Sequence, residues 1–171
     1  YNTDYIQCTG IGTVTDSLSA IKKHVFEEKM VSLDKLVEAC NKNWEGEEAL
    51  RLTLWNKTPF FGNDDDYADT IMQKVYDSLF NAIDGRTSIL GKTYHLNMLS
   101  TTCHNYFGQK TAATANGRFA GTPVSDGTSP SHGADRNGPT AVVKSLGKMD
   151  QVKSGGTLLN QRFIPSVLAG E

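Results

Sequence analysis

Cysteine is scarce in this 171-residue chain: only Cys8, Cys40 and Cys103 occur, an odd number at wide spacings. That pattern suits neither a disulfide framework nor a Cys-x-x-Cys metal site, and free thiols in a reducing compartment are expected. Also missing is any run of about 18 apolar residues, or a charged-then-apolar leader. Nothing is expected to span a bilayer or direct export, so a cytoplasmic location is the default. No sign of charge dominates, with 17 Lys+Arg against 19 Asp+Glu and a formal net charge of -2. No block of five or six like charges occurs, which excludes nucleic acid and membrane surfaces as expected partners. The chain has no P-loop, no G-x-G-x-x-G after a strand and no G-x-S-x-G elbow.

What is present is a modest apolar fraction of 38%, with 16 glycines. A core is available, but much of the chain must be loop. The length fits one domain. Two details point to a piece of something larger: the first residue is Tyr1, and the chain stops at Glu171 just after the apolar run Val167-Leu168-Ala169.

Residues 1 to 14 read as a short apolar segment entering the Gly10-Ile11-Gly12 turn. A helix capped by Thr15 or Asp16 follows, with Leu18, Ile21, Val25 and Phe26 on one face. A second is capped by Ser32 and carries Leu33, Leu36, Val37 and Cys40, and a third short one runs from Glu47 to Trp55 before Pro59. The strongest helical signal follows Asn63-Asp64-Asp65-Asp66 and places Ala68, Ile71, Met72, Val75, Leu79 and Ile83 at a 3.6 period, closing at Gly85. From Lys92 to Phe107 the residues are β-prone and predict a strand. The polar stretch Gly108 to Gly138 predicts an ordered functional loop, since it has neither repeats nor single-residue bias. Pro139 suits the first turn of a helix reaching Lys148, and Thr157 to Phe163 predicts a final strand. The order gives an α/β or α+β layer pattern.

The acidic run Asp64-Asp65-Asp66 lacks the later Gly and Glu of a calcium loop, and acidic side chains at a helix start are favoured by the unpaired N–H groups. Capping is the reading adopted. On a strand, Cys103 and His104 would point to opposite faces, so they would not act on one substrate as a nucleophile pair. Thr101, Cys103 and Asn105 would share one face and Thr102, His104 and Tyr106 the other, either row lining a cavity. Arg118 and Arg136 sit in tight turns, where each either holds an anion or clamps loop carbonyls.

Together, certain runs resemble the glycyl radical enzymes, the pyruvate formate-lyase-like superfamily. They are Gly10-Ile11-Gly12-Thr13-Val14-Thr15-Asp16-Ser17-Leu18, Phe61-Gly62-Asn63-Asp64-Asp65-Asp66, Tyr106-Phe107-Gly108 and Ala115-Asn116-Gly117-Arg118. Ser129-Pro130-Ser131-His132-Gly133-Ala134-Asp135-Arg136-Asn137-Gly138-Pro139-Thr140-Ala141-Val142 and Gly156-Thr157-Leu158-Leu159-Asn160-Gln161-Arg162-Phe163 complete the set, in the family's order. The later runs are closest to the carbon-oxygen and carbon-nitrogen lyase branch, which includes glycerol, propanediol and hydroxyproline dehydratases and choline trimethylamine-lyase.

The resemblance implies an α/β fold that is an internal fragment of a ten-stranded barrel wrapped by helices. A catalytic Cys sits in one loop and a radical Gly in another. Neither the Gly-Cys-Val-Glu-like nor the Arg-Val-x-Gly-Tyr-like motif is in this chain, so Cys103 and Gly117 take neither role and no catalytic residue or metal ligand is assigned. The implied mechanism has a glycyl radical, installed by a separate S-adenosylmethionine iron-sulfur activase, oxidising the Cys to a thiyl that abstracts a substrate hydrogen. The implied substrate is a small polar molecule, and the whole protein is expected to be a homodimer. This segment supplies wall, with Leu99, Thr101 and His104 as substrate-binding candidates. Leu99 stands where dehydratases of the branch place Tyr, which bears on a diol substrate, and Asn116 where Asp is common.

Two other readings remain: a formate acetyltransferase of the pyruvate formate-lyase type, which needs two adjacent cysteines elsewhere in the parent, and a non-catalytic barrel-derived binding module. Because a thiyl must be shielded from water and oxygen, barrel-facing residues are expected to be buried in the complete enzyme and exposed in the piece.

Overall fold

A computed structural model describes residues 3–163, so the terminal run Val167-Leu168-Ala169 lies outside the described residues. Strand β1 (Thr3–Gln7) and strand β2 (Thr93–Asn97) pair in parallel, Thr3 against Thr93 through Gln7 against Asn97. Between them run helices α1 (Ile11–Ala20), α2 (Leu33–Asn41), α3 (Glu48–Lys57) and α4 (Asp66–Ile83). A long helical crossover is what a parallel pair requires. Helices α5 (Cys103–Lys110) and α6 (Gly138–Gly147) follow β2, giving an α/β architecture. No helix of the described residues is long and apolar enough to cross a membrane.

Several helix ends follow from their residues. Ser32 caps α2 by accepting from the Lys35 amide, Asp65 caps α4 by accepting from the Tyr67 amide, and Pro139 sits in the first turn of α6. Lys148 lies 2.7 Å from Asp69, 2.8 Å from Asp66 and 3.0 Å from Asp64. The acidic run therefore caps α4 and ties it to the end of α6. Burial opposes the Lys148 charge, but these carboxylates raise its pKa on balance. One core gathers Ile11, Phe61, Met72, Tyr76, Leu96 and Val142 where α1, α4, β2 and α6 meet; another gathers Leu36, Ala39, Trp44, Leu54, Ala113 and Ala115.

Several expectations need correction. Helix α1 begins at Ile11, not Thr15, because Gly10 takes a left-handed φ of 85° and accepts the first helical bond, from the Val14 amide. The apolar stripe Leu18, Ile21, Val25 and Phe26 divides: Ile21 and Val25 pack against the second core, whereas Leu18 is exposed, and the buried face of α1 is made by Thr13, Thr15, Asp16, Ser19 and Ala20. From Ile21 the helix widens into π-helical turns as far as Glu27, so Phe26 also points outward.

The strand read over Lys92 to Phe107 ends at Asn97, where β1 runs out of partners. Met98 then turns to another segment, its amide donating to the Gly156 carbonyl at 2.9 Å and its carbonyl accepting from the Leu158 amide at 3.1 Å. Residues 103–110 are helix despite their β-prone composition, so tertiary context overrides propensity there. The last predicted strand makes one parallel bridge, Met98 to Thr157, and is otherwise irregular among the described residues.

Candidate functional site

Leaving β2, the chain passes through Leu99, Ser100 and Thr101 and enters α5, whose first turn holds His104. The ordered loop then crosses back beneath it. The predicted functional loop is held by Arg118, whose guanidinium donates to the carbonyls of Thr111, Ala112, Phe119 and Thr122. Arg118 is thus a clamp for loop carbonyls, not an anion receptor. Arg136 is similar in role: it donates to the Trp55 carbonyl at 2.7 Å and lies over the Trp55 and Phe60 rings.

Close approach sets the loop's height. A Cβ at Gly12 would stand 2.8 Å from the Ser129 carbonyl oxygen and 3.0 Å from the Ser131 amide, so α1 touches backbone there only because residue 12 is glycine. Ser125 locks the same contact, accepting from the Thr13 amide at 3.1 Å while its own amide donates to Thr13 Oγ1 at 2.9 Å. This is why α1 buries a polar face.

Between α5, this loop and the segment after Gly156 lies a cavity of about 920 Å³, lined by Thr101, His104, Asp126, Ser129, His132 and Asn160 among others. Its volume is in the range of a small-molecule site. Asp126 is buried at 5% exposure and is gripped from three sides. The Ser100 hydroxyl donates to its Oδ1 at 3.4 Å, the Asn160 amide donates to its Oδ2, and His104 Nδ1 lies 3.5 Å from Oδ1. Ser100 also accepts from the Gly127 amide at 2.9 Å, so its hydroxyl is turned toward the carboxylate. The His132 ring meets the His104 ring edge-on at 6.0 Å between centroids.

Just behind the wall, Asp16 is fully buried and accepts from the Phe61 amide at 2.8 Å. Desolvation pushes its carboxyl up to about 7, opposed by Ser131, the Phe61 amide and the Arg136 charge. Its Oδ2 and the Ser131 hydroxyl stay outside hydrogen-bond geometry.

Of the three predicted site residues, Thr101 and His104 line the cavity together. Leu99 does not: its amide donates to Gln7 Oε1 at 3.0 Å, and its side chain lies against Gly156. His104 and Cys103 are successive helical residues, so the argument that placed them on opposite strand faces does not apply. His95 pairs with Asp84 at 2.7 Å in a separate groove. Asp126 and Ser100 escaped sequence reading. The Asp126-Gly127 pair inside a long ordered loop was the available signal.

Residues 1–108 match the pyruvate formate lyase-like family and residues 124–171 the glycine radical family. The chain belongs to the pyruvate formate lyase-like family, the glycyl radical enzymes.

Within it, the chain is 56% identical over its whole length to trans-4-hydroxy-L-proline dehydratase of Clostridioides difficile, covering 22% of that protein. It is 41% identical to isethionate sulfite-lyase of Desulfovibrio desulfuricans over 99% of its length and 21% of the relative's. The crystal structure of the C. difficile hydroxyproline dehydratase with trans-4-hydroxy-L-proline bound superposes over the whole chain and 22% of that structure, with a TM-score of 0.95. The glycerol-bound B12-independent glycerol dehydratase from Clostridium butyricum matches at 36% identity and a TM-score of 0.92, over 100% of this chain and 22% of that one. The chain spans about a fifth of the length of the relatives it matches.

Proposed function

We propose that this segment forms the substrate-facing wall of a glycyl radical lyase that cleaves a C–O or C–N bond of a small polar molecule. The observation that carries the reading is the cavity shared by Thr101, His104, Asp126 and Asn160, which draws on both family-matched parts of the chain. In the whole enzyme the glycyl radical, installed by a radical S-adenosylmethionine activase, supplies a thiyl that abstracts a substrate hydrogen. The residues present here bind, orient and exclude water. Thr101 and His104 face the substrate with a hydroxyl and an imidazole, and Leu99 closes the wall on the Gly156 side.

The exposed apolar residues Val14 and Leu18 on α1, with Ile71, Val75 and Leu79 lining an open groove on α4, support the packing of these helices against further parts of a larger enzyme. The catalytic Cys and radical Gly loops belong elsewhere in that enzyme. A cytoplasmic homodimer completes the reading.

The test is anaerobic activation of the full-length parent enzyme by its activase, with the glycyl radical counted by electron paramagnetic resonance. Turnover is then measured on trans-4-hydroxy-L-proline, glycerol and propane-1,2-diol. Elimination from one of these by the radical-bearing enzyme supports the reading, with hydroxyproline the first expectation at 56% identity. A fully loaded radical enzyme that instead converts pyruvate and coenzyme A to acetyl-coenzyme A and formate overturns it.

A further inference from the structure

We propose that Asp126 is a positioning residue that fixes the ring of His104 and so sets which imidazole nitrogen the cavity receives. The inference rests on the cavity being the substrate site. A carboxylate at 5% exposure is costly unless charge or hydrogen bonds compensate it. The Ser100 hydroxyl and Asn160 amide supply neutral donors. Among the described residues, His104 is the one ionisable cation-forming side chain within ion-pair distance of it.

That contact joins Nδ1 of His104 to Asp126 Oδ1 at 3.5 Å, slightly longer than a hydrogen bond, while among the described residues His104 Nδ1 has no other partner. Closing it by a few tenths of an ångström, as occurs when ligands tighten a site, places the Nδ1 proton on the carboxylate side. The tautomer is then set, because the partner of one ring nitrogen decides the state of the other. Nε2 is left to the cavity. His132 packs edge-on against the same ring, 6.0 Å between centroids.

The assembly also crosses the family-matched parts. His104 lies in the pyruvate formate lyase-like part, whereas Asp126 and Asn160 lie in the glycine radical part. Asp126 therefore ties the substrate-facing imidazole to the segment that continues toward the C-terminal end of the chain, so the two halves must be seated together for His104 to be aligned.

The experiment uses the activated full-length parent enzyme and the variants Asp126→Asn, His104→Gln and both together, each with its radical content counted. Asp126→Asn keeps one acceptor oxygen, for Ser100 or for Asn160, turns the other into an N–H donor, and removes the charge and with it the preference for Nδ1–H. The expected result is a loss of about 10- to 100-fold in kcat, by analogy with removal of the carboxylate that orients a metal-bound histidine, with KM changed little. The double variant should be no worse than His104→Gln alone, because residues acting through one another are non-additive.

Nitrogen-15 chemical shifts of the His104 ring, read without turnover, should show Nδ1–H in the parent and a tautomer mixture in Asp126→Asn. Multiplicative kinetic losses, or an unchanged tautomer in Asp126→Asn, overturn the positioning role. If the parent enzyme carries its radical but performs no elimination, the function reading fails, and the ring shifts alone then decide the role of Asp126.

Discussion

The most informative perturbation of the fold is Asp16→Asn. Asp16 is fully buried beneath the cavity wall, and burial raises its carboxyl to about 7 from an ordinary value near 3.8. The folded form therefore holds a proton that the unfolded chain releases at about pH 4. Stability contributed by the neutral carboxyl is fully present below that pH. It falls as pH rises, at about 1.4 kcal/mol per unit, until the folded group ionises near pH 7, and is constant above.

The integrated loss is about 4 kcal/mol, because one pKa unit is about 1.4 kcal/mol and the interval is about three units. Asn retains an oxygen for the Phe61 amide and cannot ionise. In equilibrium urea denaturation of the full-length parent enzyme, wild type and Asp16→Asn should be similar at pH 4. The variant should be more stable by about 4 kcal/mol at pH 8. Glu27, Glu38 and Asp64, whose carboxyls are held low by hydrogen bonds to Tyr67, Lys42 and Lys148 respectively, act in the opposite direction and cancel in the comparison. A difference between the two proteins that does not change from pH 4 to pH 8 refutes the reasoning.

Lys148→Met leaves Asp69, at 1% exposure, with only the Ser145 hydroxyl as donor among the described residues, and should cost about 2–3 kcal/mol in denaturant; a change under about 0.5 kcal/mol, the surface norm, would show the cluster to be decorative. Gly12→Ala should cost about 1–3 kcal/mol through its clash with the Ser129 and Ser131 backbone. Gly147→Ala, with nothing within 4 Å of the added methyl, should be neutral or slightly stabilising, measured in the same way.

Where side chains carry their own local instruction, the sequence is readable. Ser32, Asp65 and Pro139 mark helix starts because each satisfies, or cannot use, an orphan N–H, and the 3.6 period of α4 shows which side packs. The clamp formed by Arg118 was one of two open alternatives, and only the position of four carbonyls decides between them.

Tertiary pairing decided the rest. Helix α1 buries threonine, serine and aspartate because a loop more than a hundred residues later bonds to Thr13, and no periodicity encodes that. β2 ends at Asn97 because β1 ends opposite it, not because Met98 to Phe107 lacks β-prone residues. In the candidate site, resemblance singled out Thr101 and His104, and the fold places both on one cavity. Asp126 was not, since its meaning lies in contacts with Ser100, His104 and Asn160 that the chain reaches only after folding.

The claim that this cavity is the substrate wall is tested most directly by a structure of the full-length parent enzyme soaked with trans-4-hydroxy-L-proline under anaerobic conditions. The account predicts the ligand within hydrogen-bond distance of His104 Nε2 or Thr101 Oγ1, with His104 Nδ1 drawn onto Asp126. A ligand bound elsewhere, with other residues of the parent filling the space between His104 and Asn160, contradicts it.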